Sequence, residues 1–426
     1  MQHEHNAIGS APNLYAWAVF VLTFLLMMSN FVCRQVIVGV FPFLKVQWTL
    51  TDAQLGSLAS IVALTVGLMT LPISLLVDRW SRVKSIAAMA VVWSLATVAC
   101  GFAGSYSQLL ALRGVIGIGE AGYGSAGSAI LSHVFPESRR SSVIGGFLAA
   151  ALFGSVVGVV LGGVLATHLS WQGALIVVGI PGLLLAALYP LVVRDYATVA
   201  LLKPDSANHT GRKMRLVDAL KELFGSPAMC FTYLGSGLQV LVQSTLIAWL
   251  PSYLNRFYGL TPDRAAIKAA MVVLLGGVGM FCGGYLADHA SRKNYRRRLQ
   301  LPALYALGSF ILLTTAFSLP PGSKQFFLIA LGGFVVSGHV GAAVAVIAGV
   351  THPGLRTTAL ATQVLASNLI GLAPGPFIVG TLSDAFGLRS AMAIIPLASV
   401  GAAIFFQLGS RHLPTDVVFS AARQPH

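Results

Sequence analysis

Apolar runs of about twenty residues, the length a helix needs to cross a bilayer, recur along the whole chain with short polar breaks between them. They fall at 15–41, 53–77, 85–104, 107–132, 142–167, 174–193, 228–255, 265–287, 299–319, 325–350, 357–382 and 389–409. The pattern predicts an all-α polytopic membrane protein with twelve transmembrane helices. Composition agrees: 56% of residues are hydrophobic and 9% charged, where a soluble domain is about a quarter charged.

Two signals repeat. Asp78-x-x-x-Arg82 at the end of the second run returns as Asp288-x-x-x-Arg292 at the end of the eighth. Gly154, Gly158 and Gly162 in the fifth run are echoed by Gly371, Gly375 and Gly380 in the eleventh, a spacing that lets helix backbones approach closely and is read here as packing. Repeats in the same order and orientation predict two six-helix halves, 1–193 and 228–426, related by an axis along the membrane normal. Residues 194–227 between them read as a cytoplasmic linker, with one short amphipathic helix over Leu216–Phe224. Asp78, Arg79, Arg82, Asp288 and Arg292 are candidates for a cytoplasmic gate, with a solvated loop of mixed charge as the plain alternative.

The formal charge of +14 would suggest nucleic acid if it were clustered on a soluble face. It is not. With the N-terminus inside, the outer loops receive only Lys45, Arg256, Arg264, Lys268, Lys324 and Arg389, and the inner loops and tail take nearly all the rest. This is the positive-inside asymmetry. It predicts an integral protein of the cytoplasmic (inner) membrane with both termini cytoplasmic, in contact with anionic lipid rather than DNA or RNA. Met1–Asn13 lacks the basic start and short apolar core of a cleaved signal. Cys33, Cys100, Cys230 and Cys282 lie inside apolar runs with no CxxC pair, so neither a disulfide framework nor a zinc site is expected. No GxxxxGK[ST] loop and no constellation of catalytic groups occurs, which argues against ATP-driven transport and against an enzyme; no cofactor is expected.

The run 107–132 is distinctive because it carries Arg113 and Glu120 well inside its ends, two turns apart at roughly 10 Å. Charges at that depth are costly, so the face bearing them should turn toward other helices or a water-filled cavity. Arg34, one turn from Asn30 in the first run, lies at a similar depth of roughly 10 Å. Either arginine could instead bond backbone carbonyls or snorkel to the interface. Glu120 is the one acidic residue placed near mid-membrane, which makes it the candidate proton carrier; a purely structural Arg113–Glu120 bond is the alternative. Gln239 and Gln243, one turn apart in the seventh run, could bind a polar substrate or glue helices together. His339 in the tenth run could carry a proton or ligand or simply be satisfied by packing. Tyr123 could contact a substrate or pack in the core. Pro251 is expected to kink or end its helix.

Twelve helices, two parallel halves and the repeated Asp-x-x-x-Arg loop resemble the major facilitator superfamily. Within it, Asn30 to Arg34, Arg113 with Gly117-Ile-Gly119-Glu120-Ala121, Trp249-Leu-Pro251 with Arg256, and Asn368-Leu-Ile-Gly371 through Pro376 to Ser383-Asp384 look like the Spinster branch. Organic anion:cation symporters share the arginine and glutamate of the fourth helix and are the next resemblance. In both, the first helix usually reads Asn-x-x-Asp-Arg, the aspartate serving in proton coupling with the glutamate. Here Cys33 holds that position, which puts the inherited coupling in question. Ser74 and Val159 likewise replace a usual glycine and a frequent proline. The resemblance implies that helices one, four, seven and ten line a cavity. The expected function is secondary transport by alternating access of a small organic anion or amphipathic anionic lipid such as a lysolipid. Arg34 and Arg113, with Asn30, Tyr123, Gln239, Gln243 and His339, would form the substrate site, and Glu120 would couple transport to protons. The partners are then that substrate, protons and membrane lipids, and the protein acts as a monomer. A proton-independent facilitator or exchanger, an efflux pump for amphipathic compounds and a non-transporting membrane sensor stand as alternatives.

Overall fold

The computed structural model describes residues 14–195, 224–291, 294–351 and 355–422. The amphipathic helix expected at Leu216–Phe224, all but its last residue, and the gate candidate Arg292 lie outside the described residues, as do the side chains of Asp78 and Arg79.

The described chain is helical throughout. The helices are α1 Leu14–Trp48, α2 Asp52–Arg79, α3 Arg82–Cys100, α4 Tyr106–Glu120, α5 Tyr123–Val134, α6 Glu137–His168 and α7 Trp171–Val192. After the linker come α8 Pro227–Tyr258, α9 Pro262–Ser291, α10 Arg297–Ser318, α11 Ser323–Val336 and α12 His339–Val350. Next are α13 Arg356–Ala366, a π-helical turn Ser367–Leu372, α14 Pro374–Phe386, α15 Leu388–Ile394 and α16 Leu397–Ala422. Serines set several starts: the side chains of Ser81, Ser105, Ser170 and Ser226 accept from the backbone N–H groups of Lys84, Gln108, Gly173 and Met229. Gly259, in the left-handed region at φ 64°, closes α8.

Among the described residues the helices group into twelve crossings, as the apolar pattern predicts, ten of them long and apolar enough by themselves to span a membrane, and four are interrupted. The run 107–132 breaks between Glu120 and Tyr123, where Gly122 takes φ +135°. The run 325–350 breaks at Ser337-Gly338, immediately before His339. The eleventh crossing widens into a π turn because Pro374 has no N–H to give Ile370; the Ala373 N–H donates to the Asn368 carbonyl instead, at 2.8 Å. The twelfth breaks before Pro396, between Ile394 and Leu397. Pro251, by contrast, does not end its helix: α8 continues to Tyr258.

Packing divides the chain into two compact units, counting only described residues: Met1–Leu44, Leu68–Asp205 and Pro262–Ile267 form the first, and Lys45–Gly67, Ser206–Thr261 and Lys268–His426 the second. In the first, the glycine row of α6 lies on the backbone of α1. A Cβ on Gly154 would stand 2.5 Å from the Met28 carbonyl oxygen and one on Gly158 2.8 Å from that of Val32, while Gly162 meets Val36 in the same way. In the second, Gly371 and Gly375 meet the carbonyl oxygens of Gly237 (2.6 Å) and Leu241 (2.9 Å). The repeat seen in the sequence is therefore a repeat of packing: each glycine pair, four residues apart, reads two carbonyls four residues apart on one partner helix. The second unit also holds a buried hydrophobic core that includes Met229, Tyr233, Ala306, Ile347, Ala402 and Phe406. Leu184, Leu191, Phe281 and Leu304 are exposed, as a lipid-facing surface requires.

Candidate substrate and proton site

Arg113 is fully buried. Its guanidinium donates from Nη1 to the Cys33 carbonyl at 3.2 Å and from Nη2 to the Arg34 carbonyl at 3.0 Å, so α4 grips two successive carbonyls of α1. A planar fork suits that task better than an ammonium would. The Arg34 side chain itself turns to Glu120, with Nη1 3.6 Å from Oε2. That separation is an ion pair but too long for a hydrogen bond. Neither carboxylate oxygen of Glu120 has a hydrogen-bond partner, although the residue is only 7% exposed. Asn30, one turn before Arg34, is 4% exposed with its amide nitrogen unpartnered. Phe31 supplies a ring 5.9 Å from the Arg34 guanidinium. Buried polar groups are normally satisfied; these three groups on α1 and α4 are not, or only loosely so.

The remaining candidates are placed as follows. The Tyr123 hydroxyl donates to the Thr23 carbonyl at 2.6 Å, and its ring packs edge-on against Trp93 and Phe147. Cys33 is fully buried with Sγ toward the Val178 carbonyl at 3.8 Å. In the second unit, Gln239 donates to Ser309 at 3.4 Å and accepts from Ser399 at 2.7 Å, while Gln243 donates to Ser337 at 3.0 Å, where the tenth crossing breaks. His339 is buried with Nδ1 2.9 Å from the Val336 carbonyl and its ring beside Phe406. Of the gate candidates, Asp288 accepts from Arg298 at 2.7 Å, and Arg82 is partly buried at the start of α3.

Sequence reading overlooked a second charged centre, within the second unit. The Asp52 carboxylate receives both Nη groups of Arg256 at 2.6 and 2.7 Å, Lys45 Nζ at 2.5 Å and Ser383 Oγ at 2.5 Å. Asp384 accepts from the backbone N–H groups of Asp52 and Ala53, each at 2.8 Å. The available signal was Arg256, Ser383 and Asp384, which carried the Spinster resemblance without a role, beside Lys45 and Asp52, which looked like ordinary charge at the ends of runs.

Twelve crossings, a glycine repeat shared between two units, and buried charge on the first and fourth crossings are the features of a polytopic membrane transporter. The Major Facilitator Superfamily model matches residues 19–331, and the chain belongs to that family. It is 24% identical over 383 residues to Protein spinster homolog 1 of Xenopus laevis, covering 86% of this chain and 72% of that protein. It is also 24% identical over 282 residues to the hexuronate transporter of Bacillus subtilis, covering 66% of each. A crystal structure of a bacterial homologue of the human lysosomal transporter Spinster superimposes with a TM-score of 0.85 at 25% identity, covering 95% of this chain and 99% of that one.

Proposed function

We propose that this transporter carries a small organic anion or amphipathic anionic lipid together with a proton, Arg34 receiving the anion and Glu120 the proton. The reading is carried by Glu120, buried, without a hydrogen-bond partner, and facing Arg34 at 3.6 Å. Arg34 can neutralise one anion at close range. When substrate takes that place, a proton on Glu120 replaces Arg34 as its neutralising partner, and the site keeps the same net charge in both states. Competition for one guanidinium thus links binding to protonation and favours symport of the two. Arg113, committed to the α1 carbonyls, holds Arg34 and Asn30 in position. One named relative, a hexuronate transporter, supports an anionic substrate. The protein is proposed to act as a monomer in the cytoplasmic membrane with both termini inside.

The test is uptake of labelled hexuronate and of labelled lysophospholipid into proteoliposomes with and without an imposed pH gradient. Wild type should respond to the gradient. Glu120→Gln should lose that response while still exchanging substrate, and Arg34→Ala should lose both. Gradient-stimulated uptake by Glu120→Gln at the wild-type rate would remove the proton role. The second reading, exchange without protons, draws on Cys33: where the resemblance to the Spinster branch and the organic anion:cation symporters implies a coupling aspartate, this chain has a buried thiol facing a carbonyl. It predicts equal uptake with and without the gradient.

A further inference from the structure

In the second unit α9, the eighth crossing, lies along α11, the first part of the tenth, and the two helices part at one end. A Cβ on Gly333 would stand 2.7 Å from Val272 Cγ1 and one on Gly276 3.3 Å from the Gly333 carbonyl oxygen, while Gly279 lies directly on the Phe334 carbonyl. Along α9 this contact row runs Lys268, Val272, Gly276 and Gly279, and along α11 it runs Phe326, Ala330 and Gly333, each at helical spacing. At Lys268 a long charged side chain stands where the row otherwise carries valine or glycine, and a cavity of about 340 Å³ opens between Lys268, Phe326 and Ala330. We propose that this cavity binds the headgroup of an anionic phospholipid, with Lys268 receiving the phosphate.

Lys268 Nζ lies 5.4 Å from the centre of the Phe326 ring and 6.0 Å from that of Tyr258, the last residue of α8, so two aromatic rings hold the ammonium in the cavity. Tyr258 is itself fixed, its hydroxyl held by Gln325 Oε1 at 2.7 Å and the Gly322 carbonyl at 3.1 Å. Among the described residues no carboxylate pairs with Lys268, which is half-buried. A cation so placed draws its counter-charge from outside the chain. The start of α11 works in the same direction: Gly322 has no side chain to cap it, its first turn holds no acidic residue, and Ser323, which lines the cavity, is followed by Lys324.

Depth and surroundings favour a lipid over a soluble anion. Lys268 comes six residues after Pro262, the first of α9, which is roughly 9 Å along the helix and within reach of the headgroup layer. Phe327 lines the cavity and is exposed, and further along the same two helices Leu331, Met271 and Leu275 are exposed as well. An acyl chain attached to a phosphate at Lys268 would cover that apolar strip, whereas a small soluble anion would leave it bare. The lining residues all belong to the second unit, and none is among those proposed to receive substrate or proton.

Native mass spectrometry of the full-length protein, titrated in detergent with dioleoyl phosphatidylglycerol, tests the site. Wild type should bind the first phosphatidylglycerol more tightly than it binds dioleoyl phosphatidylcholine. Lys268→Gln should weaken that first binding by about fivefold. Should this variant not fold, Ala330→Phe is read in its place, since it keeps the charge, fills the cavity and should weaken the lipid by a similar factor. Equal affinity of wild type for the two lipids, or wild-type affinity in the variant, would overturn the proposal. Displacement of phosphatidylglycerol by an equal concentration of glycerol phosphate would mark a site for a soluble anion and overturn it too. Arg34→Ala should bind phosphatidylglycerol as wild type does; loss of the first binding there would move the lipid to the transport site.

Discussion

Glu120 and Arg34 meet across two helices at a distance that allows either to change partner, whereas Arg113 is fixed by two hydrogen bonds. The two arginines, alike in depth by sequence, should therefore fail differently. Arg113→Ala forfeits charge-assisted bonds to two carbonyls and is expected to lower stability by about 2–3 kcal/mol, visible as a fall in thermal midpoint in detergent, with Arg113→Lys rescuing little because an ammonium cannot span both acceptors. Arg34→Ala should leave the midpoint near wild type and abolish uptake. Cys33→Asp, which introduces the residue that the resemblance to the Spinster branch and the organic anion:cation symporters leads one to expect, would place a carboxyl against the Val178 carbonyl and should cost about 2 kcal/mol; a midpoint equal to wild type would show that the pocket accommodates it. The sequence revealed that Arg34 and Arg113 share a depth and that Glu120 lies about two turns further into the membrane. It could not reveal which arginine faces the carboxylate, because that depends on the rotation of α1 about its axis, and the apolar residues surrounding these positions do not distinguish one face from another.

At the level of elements, the glycine rows were legible because backbone contact leaves few other residues possible. Gly158→Leu would drive a side chain into the Val32 carbonyl and separate α1 from α6. Destabilisation of about 3 kcal/mol is expected, read as loss of the monodisperse peak in size-exclusion chromatography. The helix breaks were not legible. Gly122 looks like any other glycine of an apolar run, and only the fold gives it φ +135°. Gly122→Ala should cost about 1–3 kcal/mol in strain and disturb Glu120, which ends α4 two residues earlier; reduced gradient-driven uptake with intact expression is the expected result. Gln239 and Gln243 illustrate the converse difficulty. An amide in a membrane helix serves a ligand or a neighbouring hydroxyl equally well, and only the positions of Ser309, Ser399 and Ser337 show which groups occupy them here.

For the whole molecule, the number of crossings followed from length and hydropathy, and the distribution of lysine and arginine yields a proposed orientation that is open to direct test. An impermeant maleimide added to intact cells should label Thr51→Cys above the native-cysteine background, and should label Asn294→Cys only after the membrane is opened. The reverse pattern would invert the topology. What no linear reading could anticipate is that residues 45–67 pack with the second unit, since the Arg256–Asp52 ion pair and the Ser383–Asp52 hydrogen bond join positions some two hundred and some three hundred and thirty residues apart in the chain. The Arg113 fork has a bearing on descent as well as on stability. It recognises main chain, and main chain is common to every amino acid, so position 33 can exchange aspartate for cysteine over generations while the arginine registers no difference. A scaffold anchored in this way keeps its grip between α1 and α4 whatever side chain position 33 carries.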